Sequence, residues 1–230
     1  MTDLSAVLAS ADKALPQSLE RLFDLVRIRS ISTDPAYKAE CRKAAEWLVK
    51  ELGELGFEAS MRDTPGHPMV VAHHAGAKAG APHALFYGHY DVQPVDPLNL
   101  WEDDPFAPAI KEIEPGRKVI TGRGTSDDKG QLLTFVEACR AYKAVHGSLP
   151  IEITILFEGE EESGSPSLKP FLLANAQELK ADFALVCDTS MWNTETPAIA
   201  AALRGLVGEE ITVTAADRDL HSGLFGGAAA

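Results

Sequence analysis

Acidic residues and a histidine follow the ends of three apolar segments in this sequence. His89 and Asp91 follow ALFYG, four glutamates follow ITILF, and Asp188 follows FALVC. A fourth group, Asp127 and Asp128, lies in a glycine-rich turn before a predicted helix. In α/β proteins the carboxyl ends of the strands share one edge of the sheet, and ligands bind there. We therefore expect these groups to converge on one site.

The spacing of His89 and Asp91 suits a metal ligand and its supporting group. In an extended segment residues i and i+2 point the same way. Asp91 can then hold one imidazole nitrogen while the other nitrogen binds a metal. The alternative is an isolated histidine followed by a turn aspartate, without any metal.

The pair Asp127 and Asp128 admits two interpretations. Either residue could cap the helix that follows, where an acid in the first turn is favourable. The glycines of the preceding GRG segment also allow close backbone approach, so that a carboxylate held there could bridge two cations. Both interpretations stay open on the sequence alone.

Four glutamates, Glu158, Glu160, Glu161 and Glu162, follow one apolar strand and precede Ser-Gly-Ser. Like charges repel, and each carboxylate raises the pKa of its neighbours. One explanation is a solvated acidic loop at a helix start, where acids suit the helix dipole. The other is a metal site, in which one of the adjacent pair Glu161 and Glu162 binds metal and the other faces a water as general base.

Apolar periodicity assigns the elements that must position these groups. It predicts helices at about 16–29, 35–55 and 128–146 and another beginning near Pro166. It predicts strands at 57–62, 69–76, 84–94, 151–157 and 181–188, a short strand that begins at 119, and two more within 199–215. Residues 95–118 resemble a loop. The central strands are apolar on both faces, which indicates an α/β fold with a mixed, mostly parallel sheet covered by helices.

Composition excludes several classes of partner. The 230 residues carry a net charge of −13, which disfavours binding to nucleic acid and to anionic membranes. No apolar run reaches the roughly 20 residues of a membrane helix, and the N-terminus does not resemble a signal peptide. The three cysteines are far apart, which is typical of reduced thiols in a cytoplasmic protein.

Six motifs resemble, in order and spacing, the cocatalytic zinc metallopeptidases of metallopeptidase family twenty, which includes carnosinases and cytosolic nonspecific dipeptidases. The motifs are YGHYDVQP (87–94), GRGTSDDKG (122–130), EGEEESGS (158–165), CDTSMW (187–192), LRG (203–205) and DLHSGLFGG (219–227). The resemblance covers nearly the whole chain. Deacylases of the family share the core residues, but the VQP, DDKG and DLHSG segments are more similar to the dipeptidases.

The resemblance implies a site for two Zn²⁺ ions, for which Mn²⁺ or Co²⁺ could substitute. His89 and Asp188 would hold one ion and Glu162 the other. Asp127 would bridge both, through a cis peptide to Asp128.

The resemblance also implies the catalytic roles. Asp91 would orient His89, and Glu161 would be the general base that takes a proton from water. His221 would reach the active site of the other subunit of a homodimer, where it would stabilise the developing oxyanion. The implied substrate is a dipeptide or a related small amide.

Members of that family are about twice as long as this chain. We therefore expect an N-terminal fragment, with a zinc-peptidase-like catalytic domain at 1–207 and the start of an α+β lid or dimerisation domain at 208–230. The isolated chain should have weak activity or none. The alternatives are an N-acyl-amino-acid deacylase of the same family and a non-catalytic fragment whose acidic edge binds cations.

Overall fold

A computed structural model describes residues 4–76 and 80–227 of the chain. The helices are α1 (Leu4–Arg27), α2 (Lys38–Glu54), α3 (Lys129–His146), α4 (Leu168–Ala174) and α5 (Ser222–Phe225). The strands are β1 (Glu58–Arg62), β2 (Met69–His74), β3 (His83–His89), β4 (Ala109–Glu114), β5 (Arg117–Thr121), β6 (Glu152–Glu158) and β7 (Phe183–Val186). The chain divides into two compact units, Met1–Thr189 and Ser190–Ala230.

Five strands of the first unit form a mixed sheet in the order β1–β2–β6–β3–β7. Strand β2 is antiparallel to both its neighbours, whereas β6, β3 and β7 are parallel. Four of the five strands therefore run in the same direction, which confirms the predicted mixed, mostly parallel α/β sheet. The register pairs His89 with Glu158 and Tyr87 with Val186, so the carboxyl ends of the three parallel strands lie side by side.

Helices cover both faces of this sheet. Alternate residues along a strand point to opposite faces, and in β6 Ile155 and Phe157 join the apolar side chains of α1, α2 and α3 in one core. Leu156 points the other way and packs in a second core, which Phe171 of α4 partly covers. Strand β6 is buried in all but its first residue. A strand covered on both faces favours apolar residues on both sides, and ITILF supplies four, while the hydroxyl of the buried Thr154 contacts His73 and His83.

Helix α1 begins twelve residues before the predicted start near residue 16. Pro16 lies inside it, and a proline is typical of a first turn because it lacks an N–H group. The earlier turns are retained, and Val7 is buried. Although α1 is 24 residues long, no helix in the described part of the chain combines the length and the apolar character needed to cross a membrane.

The segment predicted as loop, 95–118, contains a strand, so that prediction was wrong in part. Strands β4 and β5 form a separate antiparallel hairpin. Gly116 lies at its turn with a φ of +79°, a conformation that glycine adopts without steric cost. Ile110 is half-exposed, so the hairpin lacks the strong apolar alternation that identifies a strand in sequence.

Among the described residues of the second unit, α5 is the one regular element. The prediction of two strands within 199–215 was therefore wrong. Ile211 and Val213 have the alternation of a strand, but their exposed fractions are 84% and 86%. A strand requires a neighbour for its backbone hydrogen bonds, and the described part of this unit supplies none. The assignment of 208–230 to a lid stays a prediction.

Candidate metal centre

His89, the last residue of β3, is fully buried at the carboxyl edge of the sheet. Its Nδ1 lies 3.1 Å from the backbone oxygen of Asp91 and 3.4 Å from Asp91 Oδ1. Its Nε2 lies 3.0 Å from Asp127 Oδ1 and 3.5 Å from Asp188 Oδ2, yet makes no hydrogen bond. A buried nitrogen without a hydrogen-bond partner needs an explanation. Here it faces two carboxylates across a short gap.

The charges around His89 favour its protonated form when no metal is bound. Burial alone would lower the pKa of the imidazole. The hydrogen bond to Asp91 and the nearby carboxylates outweigh burial and raise that pKa to about 10. A cation in this position is therefore stabilised electrostatically, whether it is the imidazolium proton or a metal ion.

Asp127 and Asp128 precede α3 and are joined by a cis peptide bond, as the family resemblance implied. Asp128 occupies the N-cap position but makes no side-chain capping bond. Its Oδ2 instead accepts a hydrogen bond of 2.9 Å from the backbone N–H of His89. Gly88 permits this approach, because a Cβ there would lie 2.8 Å from the same oxygen. Burial raises the pKa of Asp128 to about 7.

Asp91 connects the end of β3 to the glutamate segment after β6. Its side chain is fully buried. Oδ1 accepts a hydrogen bond of 3.2 Å from the N–H of Glu161, and Oδ2 accepts one of 3.0 Å from the N–H of Glu162. Asp91 therefore fixes the backbone of both glutamates in addition to contacting His89. The sequence suggested only the contact with His89, because nothing local links residues 70 positions apart.

Glu161 and Glu162 lie in a short 3₁₀ turn, Glu161–Ser163, directly after β6. Burial is the largest cause of a raised pKa for each carboxyl, and Asp127 raises both further. Gln93 donates a hydrogen bond of 2.6 Å to Glu162 Oε2, which holds that side chain in place. Glu162 lies outside the tight group that His89 forms with two aspartates.

Glu158 and Glu160 are buried and held by the protein itself. Glu158 accepts hydrogen bonds from the hydroxyl groups of Tyr87 and Ser165. Glu160 accepts one of 3.2 Å from the N–H of His67 and another of 3.2 Å from the N–H of Ser167. The four acids of this segment thus divide into two that hold the surrounding loops and two that face the site.

His221 belongs to the second unit and is exposed. It is the N-cap of α5, where its Nδ1 accepts a hydrogen bond of 3.1 Å from the N–H of Gly223. Its predicted role in another subunit stays a prediction. The remaining histidines, which the sequence suggests are structural or on the surface, have ordinary contacts where contacts are seen, such as His67 with the backbone oxygen of Ser32.

The donor set fits a divalent metal ion. The ligand atoms of His89, Asp127 and Asp188 lie within 4.8 Å of one another. Zinc accepts imidazole nitrogen and carboxylate oxygen as ligands, and catalytic zinc sites have three protein ligands. The buried Nε2 of His89, which makes no hydrogen bond, gives a further reason, since its lone pair becomes available once the proton leaves. Manganese and cobalt accept the same donors.

Two glutamines at this site were not identified from the sequence. Gln93 holds Glu162. Gln131, near the start of α3, contacts Asp188 and the N–H of Thr189. Neither residue stands in a pattern that indicates chemistry, since glutamine is common on protein surfaces. Their positions follow from the sheet register and the placement of α3.

Comparison with known proteins gives consistent relatives. The family model described as Peptidase family M20/M25/M40 matches residues 85–220. The Cys-Gly metallodipeptidase dug1 of Schizosaccharomyces pombe is 34% identical over 227 residues, which are 94% of this chain and 47% of that protein. The Beta-Ala-His dipeptidase of Homo sapiens is 33% identical over 162 residues, 70% of this chain and 31% of that protein.

Solved structures agree with these relatives. The di-peptidase Dug1p from Saccharomyces cerevisiae superimposes with a TM-score of 0.74 at 26% identity, covering 99% of this chain and 50% of that one. Human carnosine dipeptidase 1 also gives 0.74 at 26% identity, covering 84% of this chain and 42% of that one. The chain spans about half the length of the Cys-Gly dipeptidases that it matches.

Proposed function

We propose, since the chain belongs to peptidase family M20/M25/M40, that it carries the metal site of a dipeptidase that hydrolyses the peptide bond of dipeptides or short peptides. The observation that carries this proposal is the buried Nε2 of His89, which makes no hydrogen bond and faces Asp127 and Asp188. The relatives named as metallodipeptidases and dipeptidases support the substrate class.

The proposed centre holds two Zn²⁺ ions, with Mn²⁺ or Co²⁺ as possible replacements. His89 and Asp188 would bind one ion, Glu162 would bind the other, and Asp127 would contact both. When bound, such metals activate water and polarise the carbonyl of the scissile bond. Burial is the largest cause of the raised pKa of Glu162, so a metal ion must compete with a proton that this carboxyl holds more tightly than an exposed glutamate does.

Glu161 is proposed as the general base. Burial and the neighbouring carboxylates raise its pKa, which brings a carboxylate closer to the value needed for proton transfer near neutral pH. Its carboxylate would take a proton from the attacking water and then give that proton to the leaving amine. Asp91 supports this role by holding the Glu161 N–H, which orients the start of the 3₁₀ turn.

The assembly and the compartment are also part of the proposal. The family resemblance suggests a homodimer in which His221 serves the partner's site. The three cysteines are unpaired, and burial raises the pKa of Cys41 and Cys139 to about 12. Unreactive free thiols suit a reducing compartment such as the cytoplasm.

The test is replacement of Glu161 by glutamine in the protein that carries this chain. A general base contributes typically about 10²–10⁴-fold to rate, so we expect kcat to fall by that factor while bound metal per chain is unchanged. Glu46→Gln, on the exposed face of α2, is the matched control. Full activity of Glu161→Gln would remove Glu161 as base.

The substrate proposal has its own outcome in the same assay. Hydrolysis of N-acyl amino acids without hydrolysis of dipeptides would show that the function is that of a deacylase and not of a dipeptidase. The prediction that the 230-residue chain has weak activity or none is tested in the same assay, where substantial metal-dependent hydrolysis of dipeptides by the purified chain would contradict it.

A further inference from the structure

Asp188 has little structural support from its own strand. Among the strands in the described part of the chain, β7 is at the edge of the sheet and pairs only with β3. The ladder ends where Tyr87 pairs with Val186, so Asp188 extends two residues beyond it. About a third of its side chain, 35%, is exposed. An exposed carboxylate beyond an edge strand samples several rotamers, and ordering it at a metal costs conformational entropy.

Gln131 supplies the missing support from another element. It is the third residue of α3, and both ends of its side-chain amide contact the segment after β7. Its Nε2 donates to Asp188 Oδ1 at 3.5 Å, and its Oε1 accepts a hydrogen bond of 3.0 Å from the N–H of Thr189. The other oxygen, Asp188 Oδ2, is left facing His89 Nε2 at 3.5 Å.

The two contacts determine the orientation of the amide. If the Gln131 amide were flipped, its NH₂ group would face the N–H of Thr189, and its oxygen would face the carboxylate of Asp188. Both contacts would then be repulsive, donor against donor and acceptor against acceptor. The orientation that remains holds the backbone and the side chain of the Asp188 segment together.

We propose that Gln131 is a positioning residue that presents Asp188 to the metal. The inference rests on the proposed metal site. Glutamine is suited to this role because its neutral amide binds one carboxylate oxygen without adding a positive charge that would compete with the metal ion for Asp188. Gln131 also lies four residues after Asp127, so one short segment sets the positions of both aspartates around His89.

The experiment measures zinc affinity of the 230-residue chain by competition with a chelator, with Co²⁺ absorption as a second readout. Gln131→Met keeps the side-chain length and removes both hydrogen bonds. Removing a group that orients a metal ligand typically costs about 10–100-fold in affinity, and we expect a loss in that range with a changed Co²⁺ spectrum. Gln177→Ala, at an exposed glutamine after α4, should match the wild type.

A double-mutant cycle separates positioning from a general structural role. If Gln131 acts through Asp188, Gln131→Met should have little further effect on zinc affinity in an Asp188→Asn background. A loss of the same size in both backgrounds would overturn the proposal, as would a Gln131→Met chain that binds zinc within about twofold of the wild type, far below the expected loss.

The result for the wild-type chain distinguishes a failure of the metal site from a failure of the role of Gln131. Specific zinc binding by the wild type together with unchanged binding by Gln131→Met would refute the role of Gln131 and leave the metal site intact. A wild-type chain without specific zinc binding would overturn the metal site and the role of Gln131 together.

Discussion

Replacing Asp91 by asparagine should destabilise the first unit even when no metal is present. Asp91 is fully buried, and its two carboxylate oxygens accept hydrogen bonds from the N–H groups of Glu161 and Glu162. Asparagine has nearly the same shape but only one acceptor oxygen. Its NH₂ group must therefore face one of the two N–H donors, which leaves that donor buried without a partner.

The size of the effect follows from these two bonds. Hydrogen bonds to charged groups contribute about 1.5–3 kcal/mol each, and a neutral bond contributes about 1 kcal/mol. The substitution loses one bond entirely and weakens the other. Two further effects act in opposite directions. The substitution removes the attraction between Asp91 and the protonated His89, and it relieves repulsion, because Asp91 raises the pKa of Glu161 and Glu162. The net loss in free energy of unfolding should be about 2–4 kcal/mol.

The assay is urea denaturation of the 230-residue chain in the presence of a chelator. Asp182→Asn is the matched control. Asp182 is at an exposed position, and its Oδ2 accepts a hydrogen bond of 2.8 Å from the N–H of His83. That control should cost less than about 1 kcal/mol. If Asp91→Asn and Asp182→Asn have the same free energy of unfolding, the connection between β3 and the glutamate segment is not what holds the site.

Two further predictions concern buried charges. Lys129 is fully buried and donates hydrogen bonds to the backbone oxygens of Leu25 and Ile28 at 3.1 and 2.7 Å. Because methionine cannot donate these bonds, Lys129→Met should destabilise the chain by about 1–3 kcal/mol at pH 7. Burial also lowers the pKa of Lys129 to about 7. Above pH 7 the unfolded lysine binds more protons than the folded one, so in urea denaturation the advantage of the wild type over Lys129→Met should grow between pH 7 and 9, and a constant difference would contradict the lowered pKa. For the metal site, the raised pKa of His89, about 10, requires that zinc displace a proton at neutral pH. Zinc affinity measured with chelator buffers should rise by about tenfold per pH unit between pH 6 and 8, whereas a pH-independent affinity would show that His89 does not exchange a proton for the ion.

The strand ends were the part of the site that sequence could identify. His89 and Asp188 follow apolar runs, and parallel strands bring their carboxyl ends together. That argument requires only the direction of the strands, which the alternation of apolar strands and helices along the chain indicates. Strand direction is therefore enough to predict where these chemical groups collect.

The support of the site depends on tertiary geometry and could not be predicted. Asp91 contacts Glu161 and Glu162 because β3 and β6 are adjacent and paired in one register, which single-sequence patterns do not determine. Gln131 contacts Asp188 because α3 lies near the end of β7. Strand β4 was missed for a different reason, since it is largely exposed and alternates weakly, whereas β5 overlaps the short strand predicted from residue 119.

The strands predicted within 199–215 illustrate the opposite error. Ile211 and Val213 have a genuine period-2 pattern, yet the residues around them form no ladder in the described part of the second unit. A pattern reports which face a strand would bury. It does not supply the neighbouring strand that makes burial possible.

The most direct test of the metal site is anomalous diffraction at the zinc absorption edge from crystals of the chain grown with Zn²⁺. We predict a peak bonded to His89 Nε2 and to carboxylate oxygens of Asp127 and Asp188, at zinc–ligand distances of about 2.0–2.2 Å. A structure in which zinc is bound elsewhere, or in which these three residues have no ion despite added zinc, would contradict the account.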